Sequence, residues 1–159
     1  MSIILKNEDF EKAKREAENF YSTIDKVYCP CLNEKIIFNA KGLRHLKFKS
    51  DRVARKQEDQ YARLKLIFLA PQILKKSHTL QGLCQERRFE EQKTNSCWKK
   101  VVKEVFYYEF IAVIDSIRVK IIVKEVFGGV KYFWSIIPFW GIDRVRGRRI
   151  LHNGKPAED

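Results

Sequence analysis

Hydrophobic and polar positions between Tyr107 and Pro138 alternate with period two, the spacing of strands whose two faces meet different surroundings. Two turn signals divide the run, Asp115-Ser116 and Gly128-Gly129, the second a strong two-residue primed-turn sequence. Together they predict a three-stranded antiparallel meander with a countable register. One face collects Phe106, Tyr108, Phe110 and Ala112, then Val119, Ile121 and Val123, then Tyr132, Trp134 and Ile136, and reads as a core. The other collects Tyr107, Glu109 and Ile111, then Arg118, Lys120, Ile122 and Lys124, then Lys131, Phe133, Ser135 and Ile137. Cations, one acid, a hydroxyl and aromatics on one side of a sheet suit an anionic ligand.

The periodicity upstream is helical. Phe10, Ala13, Ala17 and Phe20 or Tyr21 predict an amphipathic helix over Asp9 to Thr23, capped by Asn7 or Asp9. A strand pair follows, Lys26 to Cys31 and Lys35 to Asn39, turning at Leu32-Asn33-Glu34, with Pro30 placing the first strand at an edge. Asn39 then caps a short helix with Leu43, Leu46 and Phe48 inward and Arg44, His45 and Lys47 on the solvent side. Asp51 to Ala70 reads as a helix that Pro71 ends or interrupts, and Gln72 to Lys76 continues the helical layer. Gln81 to Cys84 and Arg87 to Glu91 suit short strands and Lys93 to Ser96 a loop, while Thr79 to Asn95 as a whole offers no clear register. Helices that precede an antiparallel sheet define an α+β domain, with N-terminal helices packed on a C-terminal meander of three or more strands.

At 159 residues, 45% hydrophobic and 13% aromatic, the chain is expected to form one domain over residues 1–143, with residues 1–25 its N-terminal amphipathic helix. Residues 144–159 form a basic tail, in which Arg144 to Arg149 is an electrostatic contact and His152 to Asp159 is frayed. The 32 Lys and Arg against 20 Asp and Glu give a net charge of +12, which points to nucleic acid, an acidic protein or an anionic membrane surface. No apolar run reaches membrane-spanning length and Met1 to Lys6 is too short for a signal peptide, so the expectation is a cytoplasmic protein without a membrane partner, export by another route left open. Cys29, Cys31, Cys84 and Cys97 match no zinc or disulfide spacing and read as reduced thiols. The acids are scattered, so no metal site and no cofactor is expected. Helix-turn-helix, zinc-finger and zipper patterns are missing, which favours RNA over DNA.

The combination of Asn39, Gly42 and His45, an Arg-rich helix, and a meander carrying Tyr108-Glu109, Arg118-Val119-Lys120-Ile121-Ile122 and Phe133-Trp134-Ser135-Ile136-Ile137-Pro138 resembles the barnase/EndoU/colicin/RelE-like ribonuclease superfamily of phage- and toxin-associated domains. The resemblance spans Val27 to Trp140. It implies a metal-independent RNA-cleaving enzyme of toxin type, held by an acidic antitoxin or immunity protein. Only His45 lies near the matching segment, so the two-histidine mechanism of the EndoU pattern is not implied.

Such cleavage needs a base for the 2′-hydroxyl proton, an acid for the 5′-oxygen, and cations for the charge on the phosphorane. His45 or Glu109 can move protons, Lys120 can bind phosphate at the centre of the meander, and the Ser135 hydroxyl can donate to a phosphate oxygen. Tyr107 and Phe133 can stack on bases. Arg52, Arg55, Arg63, Arg118 and Lys124 are candidate RNA contacts. Arg55 and Arg63, eight residues apart, lie about 80° apart on a helix, and a solvated face is their ordinary reading. Glu109 is ordinarily a cross-strand ion pair, and Lys120 and Ser135 ordinary sheet-surface residues. The expected reaction is transesterification to a 2′,3′-cyclic phosphate. A noncatalytic RNA-binding module and a basic protein docking on an acidic partner are the alternatives.

Overall fold

The computed structural model describes residues 5–50, 52–138, 140–142, 149–151 and 159, those of the two short segments after 138 by their backbone only. Phe10, Ala13, Ala17 and Tyr21, spaced three and four apart, are the buried stripe of α1 (Asn7–Thr23). The strand pair follows as β1 (Lys26–Cys29) and β2 (Glu34–Ile37), and then α2 (Ala40–Lys47). The single helix expected from Asp51 to Ala70 is broken up. Phe48–Ser50 and Val53–Ala54 pair as a short hairpin, β3 and β4, and α3 begins only at Gln57 and runs to Leu66. A 3-10 turn, Ile67–Leu69, leads to α4 (Ala70–Lys76), with Pro71 in its first turn, where the missing N–H costs nothing.

The stretch without a clear register is one long strand, β5 (Gly82–Thr94), which turns at Asn95-Ser96 into β6 (Cys97–Ile114). Both turn residues have positive φ, 48° and 67°, as a primed turn requires. β7 (Ile117–Val126) and β8 (Lys131–Pro138) complete a six-stranded sheet in the order β1-β2-β8-β7-β6-β5. All neighbours are antiparallel except β2 and β8, which meet in parallel at Ile37 and Tyr132. A further hairpin pairs β9 (Trp140–Ile142) with β10 (Arg149–Leu151). The molecule is thus α+β, its N-terminal helices packed on the sheet. The main core joins Phe10 and Ala17 of α1, Leu64 of α3 and Leu74 of α4 to Phe110, Ile121 and Ile136 of the sheet.

The meander is where register matters. Asp115 and Ser116 form the expected two-residue turn, with φ of 49° and 65°, and Glu109 faces Ile122 while Tyr107 faces Lys124. The second turn is wider, Phe127 to Val130, and β8 carries a bulge. Ser135 faces Ile122 as expected, but Phe133 then faces Val123 and Tyr132 faces Lys124, with Trp134 the extra residue. One added residue exchanges the faces. Phe133, expected beside the lysines, is fully buried in the main core, stacked on Phe38 at 4.9 Å. Tyr132 and Trp134, expected in the core, instead accompany Lys124. Lys131 also changes sides and pairs with Glu34 and Glu125.

Candidate anion-binding site

β2 pairs with β8 at only one position, and α2 and α3 pack against β8. Asn39 caps α2, accepting from the Gly42 N–H at 3.2 Å, and the Tyr21 hydroxyl donates to the Asn39 carbonyl at 2.6 Å. Gly42 lets the helix sit so close. A Cβ there would collide with the Phe133 carbonyl and lie 2.7 Å from the Tyr21 hydroxyl. This approach turns His45, one turn later, inward rather than to solvent. It is only 6% exposed and its ring stacks on Trp134, 3.9 Å between centroids. The Trp134 ring also lies 4.1 Å from the ammonium of Lys124, which is paired with Glu90 at 2.9 Å.

Arg55, just before α3, donates through Nε to the His45 carbonyl at 2.9 Å, and its Nη2 is 3.0 Å from His45 Nε2. Arg63, two turns along, is held by Asp59 through Nε at 2.8 Å and donates through Nη1 to the Ser135 hydroxyl at 2.7 Å. Neither arginine lies on a solvated face. Both are 4% exposed, because the short β3–β4 hairpin and the tight packing of α3 on β8 carry them into the gap beside α2.

These groups converge on the carboxylate of Asp159. Its Oδ2 lies 3.2 Å from His45 Nε2, 3.2 Å from Arg55 Nη2, 2.9 Å from Arg63 Nη1 and 3.0 Å from the Ser135 hydroxyl. Its Oδ1 takes the second arm of the Arg63 fork at 2.6 Å. Four side chains from three regions of the chain thus surround one carboxylate oxygen. The electrostatics are coupled. Burial pushes the His45 pKa down, and the nearby arginines add to this while Asp159 opposes it. Burial alone would raise the pKa of Asp159, yet hydrogen bonds from His45 and Arg63 and the two arginine charges hold it well below the usual carboxylate range. Burial also disfavours the Arg63 charge, but Asp159 and Asp59 outweigh it and raise its pKa; Arg55, less compensated, is lowered.

The two contacts of His45 Nε2 ask for different tautomers. A guanidinium only donates, so Arg55 favours an unprotonated Nε2, whereas a carboxylate only accepts and favours Nε2–H. The state of the ring therefore depends on what fills the cradle. Its donor set, a fork from one arginine, a second guanidinium, an imidazole and a hydroxyl, suits a carboxylate or a phosphate equally. Beside it a groove of about 500 Å³ runs past His45, in which Lys41, Arg44, Lys49, Lys100 and Lys124 outnumber the two acids, Glu90 and Glu91.

Of the residues singled out by the sequence, His45, Ser135, Arg55 and Arg63 come together. Glu109 and Lys120 pair with each other at 3.0 Å across β6 and β7, Glu109 lying over the bare Gly82. Lys124 reaches the groove. Tyr107 is fully buried in a second small core with Val105, Ile122 and Ile137, and its hydroxyl, pushed up to about 12 by burial, accepts from Arg88. Neither Tyr107 nor Phe133 offers a ring face to a base, since both are fully buried. Arg52 is exposed in the β3–β4 turn, and Arg118 is exposed beside the Asp115-Ser116 turn. Arg144, Arg146 and Arg148 of the tail lie outside the described residues, as do His152 to Glu158. Sequence reasoning missed Trp134, hidden by the bulge, and Asp159, which no spacing links to the site. Among the described residues no group of His, Cys, Asp or Glu could hold a metal ion, and no helix is long and apolar enough to cross a membrane.

Comparison with known protein families, curated proteins and solved structures finds no match to this chain.

Proposed function

We propose that the protein is a metal-independent RNA endonuclease that holds the scissile phosphate in the His45, Arg55, Arg63 and Ser135 cradle. The single observation that carries this reading is the convergence of those four groups on one oxyanion beside a cationic groove. A resemblance to the barnase/EndoU/colicin/RelE-like superfamily agrees with it, as does the net charge of +12. In the bound complex the phosphate takes the place of the Asp159 carboxylate. Arg63 binds two of its oxygens as a fork, and Arg55 and Ser135 donate to the charge that grows on the phosphorane.

His45 serves as the base. Burial and the arginine charges lower its pKa, and with Arg55 turned onto the phosphate the freed Nε2 lone pair accepts the 2′-hydroxyl proton. The 2′-oxygen bonds to phosphorus as the bond to the 5′-oxygen breaks. A 2′,3′-cyclic phosphate results, and the imidazolium returns its proton to the 5′-oxygen. Lys41, Lys49 and Lys100 along the groove attract the flanking phosphates. Glu109 and Lys120, joined to each other, support the sheet and are not assigned to proton transfer.

Labelled RNA incubated with the protein in a chelator is expected to yield cyclic-phosphate ends, and His45→Ala and Ser135→Ala to abolish them while the proteins stay folded. RNA that is bound tightly in a salt-sensitive way but left intact would replace this reading with that of a noncatalytic RNA-binding module. An absence of both cleavage and binding would leave docking on an acidic partner.

A further inference from the structure

We infer that Asp159 is a tethered occupant of the phosphate site, a carboxylate of the chain itself that competes with the ligand and keeps the protein in a closed, low-affinity state. This rests on the reading of the cradle as a phosphate site.

The geometry supports competition rather than assistance. A residue that only orients His45 would approach the ring from one side and leave the arginine fork to the substrate. Asp159 does the reverse: it takes both arms of Arg63, at 2.9 and 2.6 Å, together with Arg55 and the Ser135 hydroxyl. Each of the four cradle side chains is already engaged by this carboxylate. Arg55 Nη2 also donates to the Asp159 main-chain oxygen at 2.9 Å, so the backbone as well as the side chain is drawn in. A phosphate and this carboxylate cannot share the space.

The occupant also covers the base. With Asp159 present, the carboxylate partly offsets burial and lies 3.2 Å from Nε2, covering the ring nitrogen that faces the cradle. Once Asp159 withdraws, burial and the arginines act unopposed and the His45 pKa falls further. Release of one side chain thus clears the anion site and uncovers His45 Nε2 together. Apparent affinity for an anion is reduced by the fraction of molecules in which the site is open.

The test uses the full chain and inorganic phosphate, without RNA. Asp159→Ala and Asp159→Asn are titrated with phosphate by calorimetry, and the His45 ring is followed by NMR across pH. Phosphate is expected to bind the variants at least about tenfold more tightly than the unaltered protein, on the ground that vacating the site raises the competent fraction. It should also raise their melting temperature more. The His45 pKa should fall in both. The asparagine variant keeps the side-chain shape and carries the test where the alanine variant does not fold. Unchanged or weaker phosphate binding, with a lower melting temperature, would overturn the proposal and make Asp159 a structural brace. The two readings fail separately: tighter phosphate binding with no RNA cleavage by any variant sinks the nuclease and keeps the tethered occupant, whereas cleavage that is equal in all, without a phosphate effect, does the opposite.

Discussion

Arg55 holds His45 at two points: its Nε donates to the histidine's carbonyl at 2.9 Å, and its Nη2 lies 3.0 Å from the ring nitrogen Nε2. One arginine thereby holds both the end of α2 and the ring of its histidine. Replacing Arg55 with Gln removes a charge that pushes the His45 pKa down, so that pKa should rise toward the ordinary value. An NMR titration of the ring checks the direction; an unchanged pKa would show that the Arg55 charge does not contribute to the lowering.

Acid should destabilise the protein in two stages. His45 has a folded pKa below its unfolded value of about 6.5, so the unfolded chain binds the extra proton and stability declines as pH falls below that point. Asp159 has a folded pKa far below its unfolded value of about 3.9, so its contribution is present above that pH and is lost as pH falls further. Denaturant unfolding across pH 4 to 8 should show the first loss, and His45→Gln should flatten it.

Arg63 joins Asp159, Asp59 and Ser135 at 5% side-chain exposure, so removing it leaves a buried carboxylate without its fork. Arg63→Ala should cost about 3–5 kcal/mol in urea unfolding. Arg63→Lys should recover little of the phosphate affinity, since an ammonium cannot reproduce a bidentate contact. Full recovery by lysine would show that charge alone matters at this position.

Gly42→Ala should destabilise by about 1–3 kcal/mol, because the new methyl meets the Phe133 carbonyl and the Tyr21 hydroxyl and α2 has to move away from β8. As α2 carries His45, the same change should weaken phosphate binding. A variant of unaltered stability would argue against the close helix-to-strand approach.

Phe133→Ala should cost about 3–5 kcal/mol, the loss expected for a ring buried in a core. Were Phe133 on the lysine face as the unbulged register requires, thermal unfolding would change little and RNA affinity would fall instead.

Much of the fold was legible in local chemistry. Period-two alternation and the turn residues Asp115-Ser116 specify β6 and β7 with their register, and helical spacing in α1 specifies its buried stripe. These signals are short in range, so sequence carries them. The bulge at Trp134 left no such mark, since one inserted residue is indistinguishable from a wider turn until both strands are seen, and it alone decided that Phe133 enters the core while Trp134 meets His45. The chemistry-bearing types His45, Arg55, Arg63 and Ser135 were readable as candidates. Their convergence was not, because it depends on α2 and α3 closing on one strand, and burial there turned two arginines expected in solvent into the walls of an anion site. Asp159 joins them across 24 to 114 residues of chain, separations over which no periodicity acts and only three-dimensional packing decides.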